Sequence, residues 1–354
     1  MYLNIKQAYS IPKIIVFILA FSMNFPLLAQ EYQTFKAQKG DGIYSVLKQN
    51  GYPYSEYVNK FIELNKNKLG KDNALIIGRS YKLPLRPDSL STQPKPQPKI
   101  QTKPEPIPEK TVNEIFGTTY REINIKSKEL AGAIYYLESG HGGPDPGAMG
   151  SLNGHSLCED EYAYDVTLRL ARNLVERGAT VYMIIRDPND GIRDEQYLNP
   201  DKDEVCYPNS EIPLSQVARL KQSTDAVNSL HAQNKKKFQR LVVIHVDSRD
   251  EKKNIDVFFY YDKRSNTGKR LANTLMQTFE KKYAMHQPNR GYSGSVSERN
   301  LYVIKNALTP AVFIELGNIN HTRDQQRLII PDNRQAIANW LRDGLIEDFK
   351  KSIK

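Results

Sequence analysis

The stretch AIYYLESGHGGPDPGAMG, residues 133–150, joins an apolar run to a glycine-rich turn that precedes a helical pattern. A glycine-rich turn between a strand and a helix is typical of phosphate-binding loops. This turn lacks the Gly-Lys-Ser/Thr ending of a P-loop, and Asp145 stands where the dinucleotide pattern needs a third glycine after Gly140 and Gly142. The stretch therefore predicts a buried strand that ends in a loop presenting His141.

Strand-like and helix-like segments alternate through the rest of the chain. Apolar runs predict further strands at 180–186, 240–246, 255–261 and 311–316. Helical patterns lie at 159–178, 214–233, 267–283 and 333–353. Apolar strands that alternate with helices indicate an α/β domain with a mostly parallel sheet and helices on both faces. Residues 187–213 form a long polar excursion, which we expect to border and shape a substrate groove.

The chain begins with features of an export signal. Lys6 and Lys13 precede an apolar run that ends near the small residue Ala29. The run is shorter than the ~20 residues of a membrane span, so we predict a signal peptide over residues 1–30. An uncleaved anchor is the alternative. We expect an exported protein in the periplasm or associated with the cell wall.

Export narrows the expected partners. The net charge of +10 fits a soluble basic protein or one attracted to a polyanion. Outside the cytoplasm, an anionic cell-wall polymer is the expected polyanion and nucleic acid is not. Cys158 and Cys206 are the two cysteines. They could form a disulfide in an exported protein or remain free thiols.

Residues 31–86 predict a small strand–helix–helix–strand module. Its segments KGDGIYSVLKQNG and LIIGRSYKLP resemble the opening turn with the first helix, and the closing strand, of LysM domains. The LysM pattern more often has threonine at the position of Gly42. The resemblance implies a module that binds N-acetylglucosamine-containing glycans, and a generic α+β module is the alternative. Proline-rich composition predicts a semi-rigid linker over 87–125, which leaves 126–354 as the catalytic domain.

Chemically active side chains lie at one predicted rim of the larger sheet. His141, His245 and Glu315 each lie near the end of a strand, where parallel sheets bind ligands. Glu159 opens the helix after the glycine-rich loop. Two imidazoles and one carboxylate are a common ligand set for catalytic zinc, and a second carboxylate can then transfer protons. Each of these residues alone is also compatible with a structural role.

The same domain resembles the zinc-dependent Amidase_3 family of N-acetylmuramoyl-L-alanine amidases. Four segments carry the resemblance: GHGGPDPGAMG, EDEYAYDVTLRLARNL, VVIHVDS and RNLYVIKNALTPAVFIELGNINHTRD. It implies that His141, Glu159 and His245 bind Zn²⁺ and that Glu315 is the catalytic carboxylate. The implied reaction is hydrolysis of the amide between N-acetylmuramic acid and L-alanine in peptidoglycan. A zinc peptidase acting within the stem peptide and a non-catalytic wall-binding regulator are the alternatives.

Several residues depart from the family pattern or compete for a role. Glu138 and Ser139 stand where the family usually has Asp-Pro, and we expect pocket shape to differ there. His155 is an alternative ligand, Asp247 could hydrogen-bond to a ligand, and His321 could contact substrate. His231 and His286 are expected to be structural. A protein activator is compatible with the sequence, but no residue points to a particular one.

Overall fold

The computed structural model describes residues 32–37, 42–43, 46–47, 50–52, 54–70, 75–85, 110–249, 254–287 and 289–353. The chain divides into two compact units, residues 1–103 and 104–354. The predicted signal peptide and the proline-rich part of the predicted linker lie outside the described residues. Among the described helices, none combines the length and apolar character needed to span a bilayer.

The N-terminal unit places a helix between two short strands. Strand β1 (Thr34–Lys36) pairs antiparallel with β2 (Ser80–Lys82), and α1 (Tyr54–Asn65) lies between them in sequence. Of the first predicted helix, Ile43, Val46 and Leu47 are described and are helical. This unit has its own apolar core, which includes Leu47 and Phe61. The predicted order of strand, second helix and strand is present in the described part of this unit.

The larger unit is built on a six-stranded sheet. Its strands are β5 (Ala133–Ser139), β8 (Thr180–Met183), β12 (Phe238–Asp247), β13 (Phe258–Tyr261), β14 (Ser295–Glu298) and β15 (Ala311–Asn318). Their order across the sheet is β14-β13-β15-β12-β5-β8. Every neighbouring pair is parallel except β13 and β15. The prediction of a mostly parallel sheet is confirmed.

Helices cover both faces of this sheet because its central strands are apolar on both sides. In β12, Val242 and Ile244 face one core while Leu241 and Val243 face the other, as the two-residue period of a strand requires. The first core packs against α3 (Glu159–Val175), α5 (Asn266–His286) and α8 (Pro331–Ser352). The second core packs against α4 (Gln216–Gln233) and α6 (Tyr302–Asn306).

Several small elements were not predicted from the sequence. They are the hairpin β6 (Met149–Leu152) and β7 (His155–Cys158), the three-stranded sheet of β9 (Ile185–Arg186), β10 (Val205–Cys206) and β11 (Ser210–Glu211), and the helix α7 (Thr322–Ile329). The predicted strand at 180–186 therefore splits. Its first part stays in the main sheet, and its last two residues pair with the polar excursion.

The boundary predicted at the end of the linker is wrong. Residues 110–124, placed in the linker, form β3 (Lys110–Val112), a 3-10 helix (Glu114–Phe116), α2 (Gly117–Tyr120) and β4 (Glu122–Asn124). Phe116 and Ile123 are buried in the main core of the larger unit. Burial of these two apolar side chains holds the segment against the domain. The segment was assigned to the linker because the residues before it are rich in proline.

Candidate active site

Three potential metal-binding side chains converge at the carboxyl end of the central strands. His141 follows β5, His245 lies near the end of β12, and Glu159 is the first residue of α3. One donor atom from each of the three lies within 4.8 Å of the others. The Nε2 atom of His141 is 3.2 Å from Glu159 Oε2, and the Nδ1 atom of His245 is 2.8 Å from Glu159 Oε1. The structure therefore brings together the three predicted ligands.

The glycine-rich loop presents His141 through an unusual backbone conformation. His141 has a φ of 67°, in the left-handed region that few residues other than glycine adopt. Gly142 and Gly143 continue with φ values of 99° and 62°. This sharp turn directs the chain off β5 and places the imidazole over Glu159. Backbone strain of this kind concentrates at functional sites.

Two glycines leave space for the three potential metal ligands. A Cβ atom added to Gly140 would lie 2.2 Å from Cε1 of His245. One added to Gly147 would lie 2.7 Å from Oε2 of Glu159 and 2.7 Å from Cδ2 of His141. The loop is therefore a cradle built around these side chains, and the donor set of two imidazoles and a carboxylate fits a zinc ion.

The electrostatics of the three side chains favour a positive charge between them. Burial alone would lower the pKa of His141, but hydrogen bonds to Asp145 and Glu159 outweigh this effect and raise the pKa to about 10. Burial likewise opposes ionisation of Glu159, yet its bonds to both histidines hold its pKa below the usual range. Burial lowers the pKa of His245. The carboxylates of Asp145 and Glu159 therefore stabilise a positive charge at His141.

Glu315 lies on the strand next to His245. The two residues are register partners in the parallel pair β12 and β15. Glu315 is only 8% exposed, and its Oε2 atom has no hydrogen-bond partner in the described part of the chain. Burial and then the charges of Glu159 and Asp247 raise its pKa well above the usual value. A carboxyl group of this kind is suited to exchange protons with a reacting group.

Asp145 is a functional residue that sequence reasoning missed. Its carboxylate accepts a hydrogen bond of 2.9 Å from Nδ1 of His141 and also contacts Arg219. A bond to one ring nitrogen fixes the orientation of the imidazole and leaves the other nitrogen for a metal. A carboxylate in a polar loop has no sequence signal of its own, so its position four residues after His141 did not identify this contact.

A cavity of about 250 Å³ opens beside the two histidines. Glu138, Arg219 and Phe313 contribute to its wall, and Ile212 of the polar excursion lines it as well. Burial raises the pKa of Glu138 to about 7, and its Oε2 atom has no hydrogen-bond partner among the described residues. The excursion thus borders the site, and the unusual Glu138 is part of the cavity wall.

None of the competing candidates belongs to the described cluster of His141, Glu159 and His245. His155 is exposed and stacks on Tyr197 with ring centroids 3.8 Å apart. The carboxylate of Asp247 contacts the Arg249 side chain and the backbone N–H of Ser248. His321 lies near Asp324, and His231 contacts Gln239. His286 stacks on Trp340.

Both cysteines are buried free thiols. No disulfide joins Cys158 to Cys206 in the structure. Of the two alternatives that the sequence left open, the structure has the free thiols. Burial raises the pKa of Cys206 to about 12. A thiol with a raised pKa is a weak nucleophile at neutral pH, and neither cysteine belongs to the donor cluster.

A family model for N-acetylmuramoyl-L-alanine amidases, Amidase_3, matches residues 136–347. The chain belongs to the Amidase_3 family. The matched region spans β5 to α8 and includes His141, Glu159, His245 and Glu315. The resemblance read from four short segments is therefore confirmed at the level of the family.

Individual proteins are similar to part of this chain. The probable cell wall amidase LytH of Staphylococcus aureus is 29% identical over 223 residues, which are 63% of this chain and 60% of LytH. The chain thus spans about three fifths of that curated relative. Cwp6 from Clostridium difficile is 22% identical with a TM-score of 0.45, over 61% of this chain and 29% of Cwp6. The amidase AmiC2 of Nostoc punctiforme is 18% identical with a TM-score of 0.44, over 62% of this chain and 98% of AmiC2.

Proposed function

We propose that this protein is an exported zinc-dependent hydrolase of peptidoglycan. It cleaves the amide between N-acetylmuramic acid and the L-alanine of the stem peptide. The observation that carries the proposal is the cluster of His141, Glu159 and His245 beside Glu315, inside a domain of the amidase family. The name of the relative LytH, a probable cell wall amidase, supports the same substrate.

The residues of the site would have different roles in the reaction. His141, Glu159 and His245 would hold the zinc ion. The chemistry that zinc supplies when bound is Lewis acidity toward a carbonyl group and toward water. Asp145 keeps His141 oriented through its Nδ1 hydrogen bond. Glu315 takes a proton from the attacking water and returns it to the leaving amine.

The cavity beside the histidines supports a role in substrate selection. Glu138 is 5% exposed, and its Oε2 atom in the cavity wall has no hydrogen-bond partner in the part of the chain that the structure describes. A substrate amide or hydroxyl that donates to this oxygen would satisfy it. We place the preference for a particular stem peptide at this residue and at Ile212 of the polar excursion.

The decisive experiment is digestion of purified peptidoglycan with and without zinc, with the products identified by mass spectrometry. An amidase releases intact stem peptides that begin with L-alanine, whereas a peptidase leaves residues on the glycan. The Glu315→Gln variant should keep its zinc content and lose about 10²- to 10⁴-fold in rate. Equal activity of Glu315→Gln and wild type would contradict the assigned role, and absence of any lysis would favour a non-catalytic regulator.

We further propose that the N-terminal unit is a LysM-like module that holds the enzyme on N-acetylglucosamine-containing glycan. Its support is the sequence resemblance together with the strand, helix and strand of the described part. Tethering of this kind raises the local concentration of substrate. Co-sedimentation of residues 31–103 with insoluble peptidoglycan tests it, and failure to sediment would contradict it.

The proposed location is the periplasm or the cell wall. It follows from the predicted signal peptide over residues 1–30 and from the wall polymer as substrate. Cell fractionation of full-length protein and of protein that lacks residues 1–30 tests this location. The shortened protein should remain in the cytoplasm, and export of both forms would contradict the assignment.

A further inference from the structure

Five carboxylates meet beside the start of α3, and none of them belongs to the cluster of His141, Glu159 and His245. They form the acidic cluster: Asp160, Glu161, Asp187, Asp201 and Glu204. Oxygens of the first two and of Glu204 lie within 4.8 Å of one another, and those of Asp187, Asp201 and Glu204 do so as well. Glu204 is shared by both groups, so the cluster joins the start of the helix to the polar excursion.

The acidic cluster is buried and poorly neutralised. Four of its members are between 2% and 6% exposed, and only Asp201 is exposed. In the described part of the chain, one cation forms an ion pair with a member: Arg193 lies 2.8 Å from Glu161. Buried carboxylates are costly unless they are paired or bind a metal. A bound cation would stabilise the ionised form of these buried carboxyl groups.

Asp160 provides an independent indication of a ligand. Its side chain is 3% exposed, and its Oδ2 atom has no hydrogen-bond partner among the described residues. The other oxygen accepts the backbone N–H of Glu161 at 2.9 Å, which fixes the carboxylate in place. A fixed, buried oxygen without a partner is the donor that a bound cation would satisfy.

We propose that the acidic cluster binds one Ca²⁺ ion. Two oxygens that bind the same Ca²⁺ at about 2.3–2.6 Å lie at most about 5 Å apart, and the oxygens within each of the two groups are no farther apart than this. The ion accepts six to eight oxygens in flexible geometry. Glu204 is the carboxylate common to both groups, and its neighbours in each group together with water can complete the set. Zinc sites favour nitrogen and sulfur donors, and Mg²⁺ demands a stricter octahedron.

The site would connect the polar excursion to the loop that carries His141. Glu204 accepts the backbone N–H of Gly143 at 2.5 Å, and Glu161 accepts that of Asp201 at 3.1 Å. Calcium would therefore fix the excursion against the helix start next to Glu159. This inference goes beyond the proposed amidase function and does not depend on it.

Calcium titration of the purified full chain tests the proposal without an activity assay. Calorimetry should find one site per chain, and saturation to 100 times Kd should raise Tm by about 5–10 °C. Calcium should also slow proteolysis within 187–213. Absence of binding at millimolar Ca²⁺, or tighter binding of Mg²⁺ than of Ca²⁺, would overturn the assignment.

Charge-neutralising variants test the ligands. Glu204→Gln should weaken Ca²⁺ binding at least about 10-fold because Ca²⁺ affinity follows the number of charged ligands. Asp201→Asn changes an exposed side chain and should not disturb folding. Its Ca²⁺ affinity therefore tests the site if Glu204→Gln does not fold. Glu211→Gln removes an exposed carboxylate of the same excursion outside the cluster and should bind as wild type. Wild-type affinity of Asp201→Asn, or equal loss in Glu211→Gln, would overturn the proposal.

Discussion

Substitution of a single glycine should dismantle the donor cluster. In Gly140→Ala, the new Cβ would lie 2.2 Å from Cε1, 2.3 Å from Nδ1 and 2.5 Å from Nε2 of His245. Real Cβ contacts stay above 3.0 Å, so the ring or the backbone must move by about 0.8 Å, the difference between 3.0 and 2.2 Å. A metal site tolerates only about ±0.2 Å in its ligand distances.

Neither partner of this clash can yield easily. The backbone N–H of Gly140 donates to Ile244 O at 2.7 Å, which holds the loop on β12. The ring of His245 is stacked on Phe313 with centroids 4.3 Å apart and donates to Glu159 at 2.8 Å. Relief of the clash therefore breaks a contact that positions a donor.

We expect Gly140→Ala to lower zinc affinity at least about 10-fold and kcat/KM on peptidoglycan about 100-fold. Competition with a chromogenic chelator measures the first quantity, and product release measures the second. Gly154→Ala is the control, because Gly154 has a φ of +82° with nothing within 4 Å. It should cost about 1 kcal/mol of stability and leave zinc affinity unchanged. Wild-type zinc affinity of Gly140→Ala would refute the reasoning.

Three further substitutions test charge placement. Because burial raises the pKa of Glu315, the folded metal-free protein keeps a proton that the unfolded chain releases at lower pH, so stability falls as pH rises. Glu315→Gln should therefore have a higher Tm than wild type at pH 8 and match it at pH 4; a constant difference would contradict this. Asp145→Asn replaces the charged acceptor of the His141 Nδ1–H with a neutral amide and should reduce zinc affinity about 10- to 100-fold by chelator competition; unchanged affinity would count against it. Arg334→Met removes a fully buried guanidinium 2.5 Å from Asp165. It should cost about 3 kcal/mol in urea unfolding, and a loss below 1 kcal/mol would show that the pair contributes little.

Local patterns in the sequence predicted much of the architecture. The apolar runs at β5, β12 and β15 carry side chains on both faces, and such runs indicate strands covered from both sides. The glycine-rich loop indicated where a histidine would be presented. Short elements such as β9 and β10 escaped because two-residue strands have no periodicity to detect. The segment with Phe116 and Ile123 escaped because its burial depends on the domain against which it packs.

The predicted site residues come from strand ends that carry polar side chains. His141, His245 and Glu159 were identified together because parallel strands bring their carboxyl ends to one rim. Asp145 was missed as a partner of His141, since a carboxylate in a polar loop has no sequence signal of its own. The acidic cluster was missed for the same reason, because its members come from a helix start and from an excursion with little local structure.

Local patterns in the chain were enough to predict that an apolar parallel sheet presents His141, Glu159, His245 and Glu315 at one edge. Strand period and strand direction are local properties, and they suffice for that result. Tertiary structure alone decided the rest: the left-handed backbone at His141, the clearance at Gly140 and the burial that raises the pKa of Glu315. These features depend on which atoms approach from distant parts of the chain, and spacing along a sequence does not record that approach.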